Sequence, residues 1–164
     1  MIRKLSTLKR DAIFAALATG AVTMISIFGQ IATYPNLSWY GGLTKPSFNP
    51  PNWIFAPVWT TIYILMACAL WRILRVSTGS STTRLPIVLF FILLAFNAAW
   101  PWMFFWAHSP LLGMANIAPQ FGVILATIVV VAWLDRPAAI CLLPLAAWVG
   151  FASVLNIVIW LLNR

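Results

Sequence analysis

Phe55, Trp59 and Tyr63 recur at four-residue intervals, Trp148, Ala152 and Leu155 follow at i, i+4 and i+7, and Asn97 stands four residues before Pro101. Spacings of four and seven put each set on one stripe of a helix. The groups on offer are flat aromatic faces, a notch one turn deep at Ala152, and one carboxamide. They suit stacking and hydrogen bonding of a flat apolar molecule. The same notch suits close packing of a neighbouring helix, so spacing alone leaves pocket and packing both open. Pro101 cannot donate to the Asn97 carbonyl, and that position presents a side-chain amide with a spare backbone acceptor. Ligand contact and packed kink both fit it.

Acid–base and metal chemistry have little to work with. Asp11 and Asp135 are the two acidic residues and His108 is the single histidine. His108 has no Cys, Asp or Glu near it in sequence, so no metal site is expected and a solvated loop position is. No Ser–His–acid set, GxGxxG or P-loop is present. Cys68 and Cys141 lie inside apolar runs without partner spacing and read as buried free thiols.

The elements that must hold these residues follow from composition. Of 164 residues, 63% are hydrophobic and 7% charged, against roughly a quarter charged in soluble domains. The chain reads as an all-α integral membrane protein. Apolar stretches at about 13–33, 56–75, 85–106, 113–134 and 138–162 each match the roughly 20 residues that cross a bilayer. One domain over 1–164, a five-transmembrane-helix bundle, is expected. The amino end looks like a signal peptide, but its apolar run continues to Thr33 and reads as a retained first helix.

The formal charge of +8 sits at span edges rather than in a mixed polar stripe, which excludes a nucleic-acid partner. With the amino end cytoplasmic, Arg3, Lys4, Lys9, Arg10, Arg72, Arg75, Arg84 and Arg136 fall inside, and Lys45 and Arg164 outside. This is the positive-inside pattern. Trp39, Trp106, Trp133 and Trp160, near span ends, fit an interfacial belt. Asn97, Asn116, Gln120 and Asn156 should face the bundle interior, where structural bridging is their simplest role. The absence of intramembrane charge and of a repeat argues against an alternating-access transporter.

The stretch "WYGGLTKPSFNPPNWIFAPVW" crowds Pro46, Pro50, Pro51 and Pro57 together with Trp39, Trp53 and Trp59. Together with "LAFNAAWPWMFF" and "AAWVGFASVLN", it resembles the translocator protein family, also called the peripheral benzodiazepine receptor family. The resemblance covers essentially the whole chain. It implies a five-helix bundle, usually a homodimer, with residues 34–55 as the lid of a ligand pocket on the side opposite the amino terminus. It implies pocket positions at Trp53, Phe55, Ala56, Trp59, Asn97, Trp148, Ala152 and Leu155. It also implies porphyrins such as protoporphyrin IX or haem as ligands rather than obligatory cofactors, with cholesterol and benzodiazepines as other family ligands. Trp53 and Trp148 match tryptophans tied to light- and oxygen-dependent porphyrin breakdown in bacterial relatives, which keeps an enzymatic role open beside binding. Transport of porphyrin or sterol is a third reading. A bacterial membrane is the expected home.

The chain departs from mammalian members in three places. Ile157, Val158 and Leu161 replace the Tyr and basic residue of the cholesterol-recognition pattern. Leu112 and Asn116 stand where Trp and Asp are common. Val88 and Ile92 replace a Gly-x-x-x-Gly, which leaves Ala95 and Ala99 as the small residues for a dimer through that helix.

Overall fold

In lipid every backbone polar group of a spanning segment must find its partner within the protein, and a helix supplies those partners from its own chain. The computed structural model describes residues 2–77 and 83–164, with side chains from Thr7 onward. The side chains of Arg3 and Lys4 and the stretch 78–82 lie outside the described residues. The α-helices are α1 (Ile2–Thr33), α2 (Leu37–Gly42), α3 (Asn52–Val76), α4 (Arg84–Pro101), α5 (Pro110–Leu134) and α6 (Arg136–Leu162). A 3-10 turn, Tyr34–Asn36, joins α1 to α2, and a π-helical turn, Trp102–Trp106, extends α4. Five of these helical runs are long and apolar enough to cross a membrane. The all-α, five-span fold expected from hydropathy is the fold observed.

The helices outrun the apolar stretches, because a helix continues wherever its backbone bonds do. α1 includes the charged turn with Lys9, Arg10 and Asp11. Beyond Thr33 the helical path carries on to Gly42, with Asn36 Nδ2 donating to the Ala32 carbonyl at 2.8 Å across the 3-10 turn. The lid expected over 34–55 is therefore irregular only over 43–51. Pro50 and Pro51 hold the chain extended there, and Asn52 then opens α3.

Around the bundle the helices follow the order α1, α3, α6, α5, α4 and back to α1. Met66, Phe90, Leu93, Ile124, Leu142 and Leu145 are fully buried inside this ring. Lipid is as apolar as these side chains, so what burial gains is close packing rather than transfer from water. Glycine permits two close approaches. A Cβ on Gly29 would stand 3.2 Å from the Pro101 ring, and one on Gly113 would stand 2.7 Å from both Asn156 Oδ1 and Phe104 Cδ2.

The two ends of the bundle differ in chemistry. At one, Arg72 grips Asp135 through Nε–Oδ1 at 2.9 Å and Nη2–Oδ2 at 3.0 Å, and Arg75 meets Asp11 at 3.3 Å. Asp135 also caps α6 by accepting from the Ala138 N–H. At the other end the 43–51 segment is fastened down. Asn163 accepts from the Thr44 N–H and donates to the Thr44 carbonyl, both at 2.9 Å. The Tyr40 hydroxyl donates to Asn49 at 3.0 Å, and Lys45 lies 4.7 Å from the Tyr40 ring centre. His108, exposed as a loop histidine should be, is nevertheless engaged: it stacks on Trp39 at 4.8 Å and its Nε2 lies 2.8 Å from Asn36 Oδ1.

Candidate ligand-binding site

α3 enters the bundle directly under the 43–51 segment, and its four-residue stripe faces inward as spacing predicts. Trp59 stacks on Tyr63 with ring centres 5.4 Å apart. The Tyr63 hydroxyl donates to Asn97 Oδ1 of α4 at 3.2 Å. Asn97 is 4% exposed, and its Nδ2 is buried with no hydrogen-bond partner among the described residues. A tyrosine donating to the amide oxygen fixes which way that amide points. What remains is an aimed N–H donor inside an apolar interior, beside an aromatic pair.

α6 supplies a second aromatic wall. Trp148 meets Phe55 edge-on at 5.6 Å and Phe151 at 5.7 Å, and Phe151 meets Phe48 of the lid segment at 6.4 Å. The chain Phe48–Phe151–Trp148–Phe55 thus runs from the lid across α6 to α3. Trp59, Trp148 and Ala152 all pack against the main core cluster, whereas Leu155 belongs to a smaller cluster with Tyr40, Phe104 and Ile159. Trp148 also borders a groove of about 490 Å³ with Pro57, Val58, Thr61, Ile62, Pro144 and Ala147. That volume is within the range of small-molecule sites.

Of the eight pocket positions named from sequence, Phe55 and Trp148 touch, and Trp59 reaches Asn97 through Tyr63. Ala152 and Leu155 follow Trp148 along α6 toward the end that meets the lid segment. Trp53 and Ala56 are not brought into this group. Trp53, in the first turn of α3, is 73% exposed, and Ala56 is exposed too. Phe55 takes the place beside Trp148 instead.

Sequence reading missed a polar link near the lid end of the bundle. Trp100 Nε1 donates to Asn156 Oδ1 at 3.3 Å, and Asn156 Nδ2 donates to the Pro110 carbonyl at 2.7 Å. This ties α4, α5 and α6 together next to Leu155. Trp100 also stacks on Phe104 at 4.9 Å. Gly113 is the signal that was available, since only a residue without Cβ lets Asn156 and Phe104 come so close. Asn116, buried at 4% exposure, leaves its Oδ1 without a partner among the described residues. The interior therefore holds an unused donor on α4 and an unused acceptor on α5. Together with the aromatic faces of α3 and α6, these groups offer stacking and single hydrogen bonds rather than acid–base chemistry.

Comparison with known proteins places these features in a family context. The model of the TspO/MBR family matches residues 13–161. The chain is similar to the tryptophan-rich protein TspO of Chlorobaculum tepidum, 38% identical over 149 residues, covering 90% of this chain and 94% of that protein. It is 37% identical over 129 residues to the translocator protein of Sus scrofa, covering 78% and 76% of the two chains. The tryptophan-rich sensory protein of Cereibacter sphaeroides is 31% identical over 139 residues, covering 82% and 85%.

Proposed function

This chain belongs to the TspO/MBR family, and from that premise we propose that it is a membrane binding protein for porphyrins and similar flat apolar ligands. Its role is in tetrapyrrole sensing, transport or disposal. The name of the relative called a sensory protein favours the first of these.

The observation that carries the reading is the Asn97 amide, held by Tyr63 with its N–H unspent beside the Trp59–Tyr63 stack. A protoporphyrin offers a wide π-face to stack, worth about 0.5–1.5 kcal/mol per aromatic partner beyond burial. Its ring-edge carboxylates would accept from a donor such as Asn97. Phe55, Trp59, Asn97, Trp148, Ala152 and Leu155 form the contact set, and Trp53 and Ala56 stand at its rim. The fastened lid segment lowers the ordering entropy lost on binding. The protein spans a bacterial membrane with its amino terminus cytoplasmic, acts as a homodimer, and presents the lid on the opposite side.

Protoporphyrin IX titration followed by tryptophan-fluorescence quenching tests this directly. Saturable quenching by wild type, weakened at least tenfold in Asn97→Ala, is expected. Equal affinities in the two folded proteins would refute the placement of the site.

A further inference from the structure

A groove of about 410 Å³ runs between α1 and α3 and meets the aromatic site at Tyr63, which lines it. Its lining includes Thr19, Thr23, Thr60 and Ile64, all exposed, so it opens on the outside of the ring. Along α1 it extends from Ala15 to Ser26, about 16 Å at the helical rise and thus about half the hydrocarbon thickness of a bilayer. The groove therefore occupies the depth of one leaflet.

Its outer end is built differently from its inner one. Trp71 lines that end, and its indole N–H is buried without a partner among the described residues. An unanswered donor in a water-free setting is costly. One turn further along α3, the Arg75 guanidinium lies 4.7 Å from the Trp71 ring centre and keeps its side chain 41% exposed while meeting Asp11. This is the basic end of the bundle: among the described residues Lys9, Arg10, Arg72, Arg75, Arg84 and Arg136 face only Asp11 and Asp135 there.

We propose that this groove binds one molecule of an anionic glycerophospholipid. An acyl chain lies along the groove between α1 and α3, an ester carbonyl accepts the Trp71 N–H, and the phosphate sits beside Arg75. Three independent observations meet in this assignment: a mostly apolar groove about as long as one leaflet is deep, an orphaned donor at its basic end, and an excess of basic over acidic residues at that end, with Arg75 one turn beyond Trp71. A cation near the bilayer surface attracts an anionic headgroup, whereas a zwitterionic lipid gains nothing from it. The groove shares Tyr63 with the porphyrin reading, but Trp71 and Arg75, which carry this proposal, take no part in that reading.

The test uses the purified full chain, stripped of lipid in detergent and titrated with dioleoyl phosphatidylglycerol or dioleoyl phosphatidylcholine, with bound lipid counted by native mass spectrometry. One phosphatidylglycerol per chain is expected in preference to phosphatidylcholine. Trp71→Phe, which keeps the ring and removes the N–H, should weaken it about fivefold, as for loss of one hydrogen bond. Arg75→Gln should abolish the headgroup preference, and Ala67→Phe, which fills the groove, should eliminate the bound lipid. Should Ala67→Phe fail to fold, Trp71→Phe and Arg75→Gln decide the matter. Equal binding of the two lipids by wild type, or wild-type binding in Trp71→Phe and Arg75→Gln, would overturn the proposal. So would crosslinking through Thr23 that finds a second copy of the chain seated in the groove.

Discussion

Tyr63 and Asn97 lie 34 residues apart in the chain and on different helices, yet the tyrosine hydroxyl reaches the amide oxygen at 3.2 Å. The bond turns a freely rotating carboxamide into a directed donor. Tyr63→Phe removes that constraint while keeping the aromatic stack with Trp59. Protoporphyrin affinity should fall about three- to tenfold, the worth of one net hydrogen bond. Quenching titrations of the two proteins side by side measure it.

The Ala152 notch lies one helical turn beyond Trp148, toward the lid end of α6. Filling it by Ala152→Phe overpacks the site at a cost of about 1–3 kcal/mol, or roughly 5- to 150-fold in porphyrin affinity. The same titration shows this, and unchanged affinity in a folded variant would move the pocket elsewhere.

Light separates a binder from a porphyrin-consuming enzyme. Trp148 touches both Phe55 and Phe151, so Trp148→Phe should preserve the wall's shape and lose less than about tenfold in dark affinity. If light-driven breakdown is catalysed, absorbance loss under illumination in air should run to many porphyrins per wild-type chain and stop in this variant. Equal bleaching in both would leave binding as the function.

The grip of Arg72 on Asp135 holds that carboxyl below the usual range, with the α6 N-cap bond adding to the effect. A lowered carboxyl stabilises the fold above the ordinary carboxylate value of about 3.9, and the contribution disappears as pH falls through the depressed value. Thermal unfolding in detergent should therefore be flat with pH above about 5 and weaken below about 4. Asp135→Asn keeps a good capping residue but loses the ion pair. It should be less stable by about 1–3 kcal/mol at neutral pH and lose part of the acid dependence.

Gly113→Ala tests the polar link of Trp100, Asn156 and the Pro110 carbonyl. The added Cβ would stand 2.7 Å from both Asn156 Oδ1 and Phe104 Cδ2, so one of them must move. A loss of about 1–3 kcal/mol is expected from overpacking, with the Trp100–Asn156 bond broken. Detergent melting curves and the indole N–H signal of Trp100 in NMR read the two effects.

Spans were legible because about 20 apolar residues in a row have few other uses. Helix ends were not, since Lys9, Arg10 and the Tyr34–Gly42 stretch are polar or glycine-rich and still continue the helical path. The stripes Phe55–Trp59–Tyr63 and Trp148–Ala152–Leu155 were legible as stripes, because period alone reveals a face. Their partners were not: nothing local in the sequence says that Tyr63 meets Asn97, or that Phe55 rather than Trp53 stands against Trp148. Two residues along a helix rotate a side chain by about 200°, and this separates Trp53 at the surface from Phe55 inside. Gly113 carried a readable hint whose meaning depends on Phe104 and Asn156, both distant in sequence.

The fastening of Thr44 to Asn163 joins positions 119 residues apart, and it bears on biosynthesis. A ribosome releases the 43–51 segment long before α6 has been made, and α6 also carries Trp148 and Phe151. Until that last helix enters the membrane, the segment has nothing to close onto and the aromatic wall has one side. Both are therefore completed together when α6 inserts, and a nascent chain stalled before α6 has neither the fastened segment nor the second wall.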